Sequence, residues 1–284
     1  MTNIPPICIV LVTYNRAAAL VDTLNSIQRQ TWTEWELLVC DDASTDDTRQ
    51  LVAAFMRNDH RIRYLGTERN LGMPCNLNRG LRAASSPLIA IMHDGDVYDC
   101  TAVEKWQAAM LKYPTASFVF NGYRVVGPMG KTSALHLEGY PPVMNGGDFL
   151  ESVFFRRWLF GSPVYGTAMV RKEALEDVGY PDPRYREYAD VDLWMRLSED
   201  YDVAFVNEPL IDLASRDRKP EDWGTSSREA RHLVRQAFAS ARARHYSGHS
   251  LRRSFELMRH MAFSIMHESW YSAAELKGRV LRGS

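Results

Sequence analysis

The stretch His93-Asp94-Gly95-Asp96 sets two carboxylates one residue apart, directly after the apolar run Leu88–Met92. Two acids so spaced on a turn can both approach one hard cation. Mg²⁺ or Mn²⁺ takes oxygen ligands and keeps positions open for phosphate oxygens, and such an ion neutralises charge on a departing diphosphate. Gly95 would let the backbone come close to that ligand. A solvated Asp-Gly turn has the same residues, so the pair alone does not decide. His93 adjoins it, but strand alternation turns His93 away from Asp94 and favours a packed, hydrogen-bonded histidine.

Two further polar clusters follow apolar runs. Asp41-Asp42-Ala43-Ser44-Thr45-Asp46-Asp47-Thr48 comes after Glu36–Cys40. Ser44 or Thr45 reads as a helix N-cap, with Asp46 and Asp47 favourable in the first turn. Capping leaves Asp41 and Asp42 unexplained, and a carboxylate there could accept the imide N–H of a pyrimidine base. Thr13-Tyr14-Asn15-Arg16 comes after Ile7–Val12. Tyr14 could stack on a base and Arg16 could approach phosphate, although a plain strand-to-helix loop would look the same.

The elements that position these clusters alternate. Runs at 7–12, 36–40, 61–65 and 88–92 read as strands, and the patterns at 17–30, 45–57 and 76–84 read as helices. Such alternation predicts βαβ units and a mostly parallel sheet covered by helices on both faces. Ligands of such sheets bind beyond the carboxyl ends of the strands. The three clusters should therefore converge on one site. Further on, 117–126, 167–170 and 203–206 read as strands, and 147–158 and 190–198 as helices. From residue 226 the strand signals stop, and amphipathic helical patterns run over Arg228–His245 and Leu251–His267.

Composition narrows the classes. The 284 residues are 45% hydrophobic and carry a net charge of −1, which gives no electrostatic reason to expect nucleic acid as a partner. The four cysteines show no CxxC spacing, and Cys8 and Cys40 lie in apolar runs, so buried free thiols and a reducing cytoplasm are expected. No run reaches membrane-spanning length, which leaves peripheral contact at the inner membrane face as the membrane option.

In order and spacing these pieces resemble the family-2 glycosyltransferases of the GT-A fold. The resemblance rests on Ile9–Arg16, Ser26–Thr31, Glu36–Thr48, Asn70-Leu71-Gly72, Asn78-Arg79-Gly80 and Ala90–Asp96. It implies a GT-A catalytic domain over 1–225, with a nucleotide-sugar half at 1–115 and an acceptor half at 116–225, followed by a helical C-terminal extension at 226–284. It also implies inverting transfer of a sugar from a nucleoside diphosphate, UDP first, to a glycan, lipid-linked or small-molecule acceptor. By position, Thr13, Tyr14 and Asn15 would line the nucleoside pocket and Asp42 would meet the base. Asp94 would contact ribose or metal, and Asp96 would coordinate Mn²⁺ or Mg²⁺.

An inverting enzyme needs a general base for the acceptor hydroxyl. The family's acidic motif falls on Ala189-Asp190-Val191-Asp192, which makes Asp190 the base, with Asp192 second because it can cap the helix or pair with Arg196. Ala189 stands where the family usually has Glu. Arg218 stands where His is common, and an Arg cannot bind the metal. Arg216 or Arg218 could instead hold the diphosphate. The tail would pack on the catalytic domain, form a homodimer, or touch the membrane surface. Two other readings compete: a sugar-nucleotide nucleotidyltransferase, disfavoured by the lack of glycines at 13–16, and a non-catalytic sugar-nucleotide or glycan-binding relative.

Overall fold

The computed structural model describes residues 6–127, 131–137, 139–155, 164–214 and 227–246. The chain opens with β1 (Ile7–Thr13), α1 (Ala17–Gln28), β2 (Trp35–Asp41), α2 (Thr48–Asn58), β3 (Ile62–Gly66), α3 (Met73–Ala83) and β4 (Leu88–His93). All seven residues of β1 are buried, as its unbroken apolar sequence requires of a strand covered on both faces. β3, β2, β1 and β4 pair in parallel in that order.

The second half completes the sheet with antiparallel pieces. It holds β5 (Val97–Tyr98), α4 (Ala102–Lys112), β6 (Ala116–Val126), β7 (Thr132–His136), β8 (Val143–Met144) and α5 (Gly146–Phe155). Then come β9 (Ala168–Arg171), α6 (Lys172–Val178), α7 (Ala189–Asp200), β10 (Asp202–Ala214) and α8 (Ser227–His245). The sheet continues from β4 through β9, β6 and β10 to β5. β9 runs against both β4 and β6, whereas β6 and β10 are parallel.

Sequence patterns miss α4, α6 and the short strands β5, β7 and β8, and they stop β10 eight residues early. Around Pro209 the pairing of β10 with β6 shifts register, and the strand continues past it. The core lies on both faces of the sheet. One face buries Leu20, Leu24, Ile27 and Trp106, the other Phe118, Phe149 and Trp194. α8 joins the second layer through Val234, Ala237, Phe238 and Ala241, and Arg244 holds Glu199 of α7 at 2.8 Å. The pattern at 251–267 lies outside the described residues. Among the described residues no helix is long and apolar enough to cross a membrane. Cys8 and Cys40 are buried free thiols, and burial pushes both thiols up in pKa.

Candidate active site

A glycine and two neighbours set the acidic turn after β4. Gly95 sits at φ +84°, a conformation that side-chain-bearing residues rarely adopt. A Cβ there would also lie 2.8 Å from the Arg16 guanidinium. Arg16 Nη1 donates to Asp94 Oδ1 at 3.2 Å, with the two side chains only 17% and 9% exposed. From below, the Thr23 hydroxyl of α1 accepts the Gly95 N–H at 2.9 Å and donates to the Asp96 carbonyl at 2.8 Å.

Asp96 is buried, and its Oδ1 accepts the Ala214 N–H from the end of β10 at 3.3 Å. Its Oδ2 faces Gly166, where a Cβ would stand 3.0 Å away. The donors here are hard oxygens, and a side chain at Gly166 would crowd them. Asp96, with Asp94 shared between it and Arg16, could thus hold a divalent cation whose other positions go to phosphate oxygens. Among the described residues no third His, Cys, Asp or Glu completes a metal-binding group. His93 donates its backbone N–H to Tyr98 Oη at 3.0 Å and sets its ring 6.1 Å from that of Tyr165.

The loops after β1 and β2 reach the same edge. Thr13 buries its hydroxyl, which has no hydrogen-bond partner among the described residues. Tyr14 is 45% exposed. Asn15 does something else. Its N–H donates to Ser44 Oγ at 2.8 Å, and its side-chain carbonyl accepts the Thr45 N–H at 2.7 Å. It staples the two loops together. The helix cap is corrected. Ser44 and Thr45 face the loops, α2 begins at Thr48, and Asp46 Oδ1 accepts the Thr48 N–H at 3.1 Å. Arg16, expected at phosphate, is tied to Asp94.

Asp41 is structural: it accepts from Tyr64 Oη at 2.6 Å, and burial together with this carboxylate pushes the Tyr64 hydroxyl up to about 12. Asp42 accepts the N–H groups of Leu71 and Gly72 at 2.7 and 2.9 Å, so it fixes the loop that walls the adjoining cleft as well as standing at the expected base position. Gly66, Thr67, Glu68, Arg69 and Arg79 line the rest of that cleft.

The acceptor side centres on Asp190, in the first turn of α7. Its carboxylate accepts the Val191 N–H at 2.8 Å and a backbone N–H from Tyr165. Burial nonetheless dominates and raises its pKa to about 7. The turn Tyr165–Thr167 thus connects the two acids: Tyr165 binds Asp190, and its neighbour Gly166 abuts Asp96. Asp192 is buried and pairs with Arg196 at 2.7 Å, while Arg196 also holds the carbonyls of Val178, Gly179 and Tyr180. The pair pins α7 to the preceding segment, the Arg196 partnership expected of Asp192. Arg216 and Arg218 lie outside the described residues. Thr23, Tyr165 and Gly166 escape sequence reading; Thr23 alone leaves a trace, as a hydroxyl among Leu20, Leu24 and Ile27.

Residues 8–179 match the model of the family described as Glycosyl transferase family 2. The chain belongs to this family. As a family-2 glycosyltransferase it is an enzyme of sugar transfer. It is 29% identical over 204 residues to EpsE of Bacillus subtilis (strain 168), provisionally named a glycosyltransferase, covering 70% of this chain and 69% of that one. It is 33% identical over 120 residues to WfgD of Escherichia coli, named as a UDP-Glc:alpha-D-GlcNAc-diphosphoundecaprenol beta-1,3-glucosyltransferase, covering 42% of this chain and 46% of that one. The crystal structure of S. aureus TarS 1-349 in complex with UDP superimposes with a TM-score of 0.61 at 19% identity, over 89% of this chain and 75% of that one. The family-2 glycosyltransferase thus has the GT-A type fold.

Proposed function

We propose that the enzyme transfers a sugar with inversion from a nucleoside diphosphate, UDP first, to a hydroxyl of a glycan, lipid-linked or small-molecule acceptor. The observation that carries this reading is the Tyr165–Gly166 bridge, with Asp190 on one side and Asp96 on the other. A base and a diphosphate site must flank one anomeric carbon, and this turn brings the two candidates to one place.

Asp190, poised near neutrality, takes the acceptor proton as the oxygen attacks the anomeric carbon. The Val191 and Tyr165 N–H groups hold its carboxylate in direction. The bond from that carbon to the diphosphate oxygen breaks on the opposite face. A divalent cation held by Asp96 and Asp94, Mn²⁺ or Mg²⁺, would neutralise charge on the departing diphosphate. Thr13 and Tyr14 supply a buried hydroxyl and an exposed ring for the nucleoside, beside Asp42. The choice of UDP leans on WfgD, whose name gives UDP-Glc as donor and a diphosphoundecaprenol as acceptor, and on TarS, solved with UDP-GlcNAc.

A thermal-shift screen of UDP, GDP and dTDP, each with and without Mn²⁺, tests the donor. A ligand that binds only the folded state raises the melting temperature. UDP with Mn²⁺ should give the largest rise. A larger response to GDP or dTDP would replace UDP, and equal responses without metal would remove the cation.

A further inference from the structure

The inner side of α1 carries a buried polar stripe. Thr23 and Ser26 are fully buried and Gln30, just past the helix, is 4% exposed. The spacing puts them on one side of a helix otherwise lined by Leu20, Leu24 and Ile27. Burying three polar side chains in an apolar layer is costly unless each is bonded. All three bond the same distant segment. Thr23 takes the Gly95 N–H and gives to the Asp96 carbonyl, at 2.9 and 2.8 Å. Ser26 Oγ accepts the Tyr98 N–H at 3.2 Å. Gln30 donates to the Asp99 carbonyl at 2.7 Å and accepts the Val103 N–H at 3.0 Å.

We propose that Thr23, supported by Ser26 and Gln30, is a positioning residue that holds the Gly95–Asp96 turn in the orientation in which Asp96 meets the donor. The geometry is specific to this task. One hydroxyl, acting as acceptor and donor at once, clamps the turn on either side of the Gly95–Asp96 peptide bond. Gly95 at φ +84° gives that turn a shape that its own sequence only weakly enforces. Rotating the Asp96 peptide would swing its carboxylate away from Gly166. A helix interior offers Thr no advantage over Ala or Leu, and the hydroxyl serves the turn instead. The inference rests on the proposed donor site only for what the turn holds.

The test compares Thr23→Val, which keeps shape and removes the hydroxyl, with Thr23→Ser, which keeps the hydroxyl and removes a methyl. Two readouts are needed: amide hydrogen exchange over residues 93–103 by mass spectrometry, and affinity for UDP with and without Mn²⁺ by calorimetry. Thr23→Val should exchange about tenfold faster at the turn and bind UDP with Mn²⁺ roughly tenfold more weakly, the size set by two lost hydrogen bonds. Thr23→Ser should stay within about twofold of the natural protein in binding, even if its melting temperature falls further than that of the Val variant. Wild-type exchange in the Val variant overturns the proposal. So does faster exchange with unchanged UDP affinity, which would leave Thr23 a structural clip. If the natural protein binds UDP equally with and without Mn²⁺, the cation reading fails by itself, and Thr23 is judged on UDP alone, where an unchanged affinity again overturns it.

Discussion

Arg16 and Asp94 form a mostly buried ion pair at 3.2 Å across the mouth of the acidic turn, although 78 residues separate them. The same guanidinium occupies the space a side chain on Gly95 would need. One cation of the protein therefore already stands beside the carboxylates to which a second, divalent one would come. Both acids are anchored: Asp94 by Arg16, and Asp96 by the Ala214 N–H at 3.3 Å.

That pairing should be measurable. Arg16→Ala, Asp94→Asn and the double variant form a cycle whose coupling energy isolates the contact. A part-buried, charge-assisted hydrogen bond should give about 1–2 kcal/mol in urea unfolding. A coupling of only a few tenths would mean that Arg16 stabilises the protein through other groups.

The two acids should fail in different ways. Asp96→Ala should abolish UDP-sugar binding in calorimetry. Asp190→Asn should bind the donor as before and lose transfer by about 10²–10⁴-fold, the usual contribution of a general base. Full transfer activity in Asp190→Asn would dismiss it as the base.

The strand ends were readable because buried parallel strands are unbroken apolar runs, and polar residues at their carboxyl ends stand out. Asp94, Asp96, Asp42 and Tyr14 are placed at the sheet edge in that way. What the residues do with their neighbours was not readable. Asn15 looks like a ligand-facing amide until Thr45 is seen 2.7 Å from it. Thr23 looks like filler in α1, because its partners lie more than 70 residues away. Arg16 suits phosphate by type, and only tertiary distance gives it Asp94. β10 extends beyond Val206 because its pairing with β6 shifts register around Pro209 and then resumes. Local pattern fixes which residues reach the edge of the sheet, whereas cross-loop hydrogen bonds decide which of them stay available.

Asp192 should behave as a structural residue. Asp192→Ala leaves Arg196 buried without its carboxylate and loosens the carbonyls of 178–180, so stability should fall by about 3 kcal/mol. Donor affinity should hold at temperatures where the variant is folded. A variant that melts normally but has lost transfer would return Asp192 to the reaction.

Acidity should trade stability against catalysis at Asp190. Its pKa is raised by burial from 3.8 to about 7, so the folded state favours the protonated acid. The stabilising contribution is fully present below pH 3.8 and is lost as pH rises toward 7. Catalysis has the opposite sign, since the base form exists only above the folded pKa. The rate of transfer in the free enzyme should therefore fall tenfold per pH unit below about 7 and level off above it. Asp190→Asn, which mimics the protonated acid, should melt higher than the natural protein at pH 8, by about 2–4 °C for each kcal/mol recovered. The gap should narrow at pH 5, where the folded side chain is already protonated, and close only below about pH 3.8, where the unfolded one is protonated too. A melting difference that is the same at both pH values would mean that the carboxyl does not titrate in this range and that the base must be sought elsewhere.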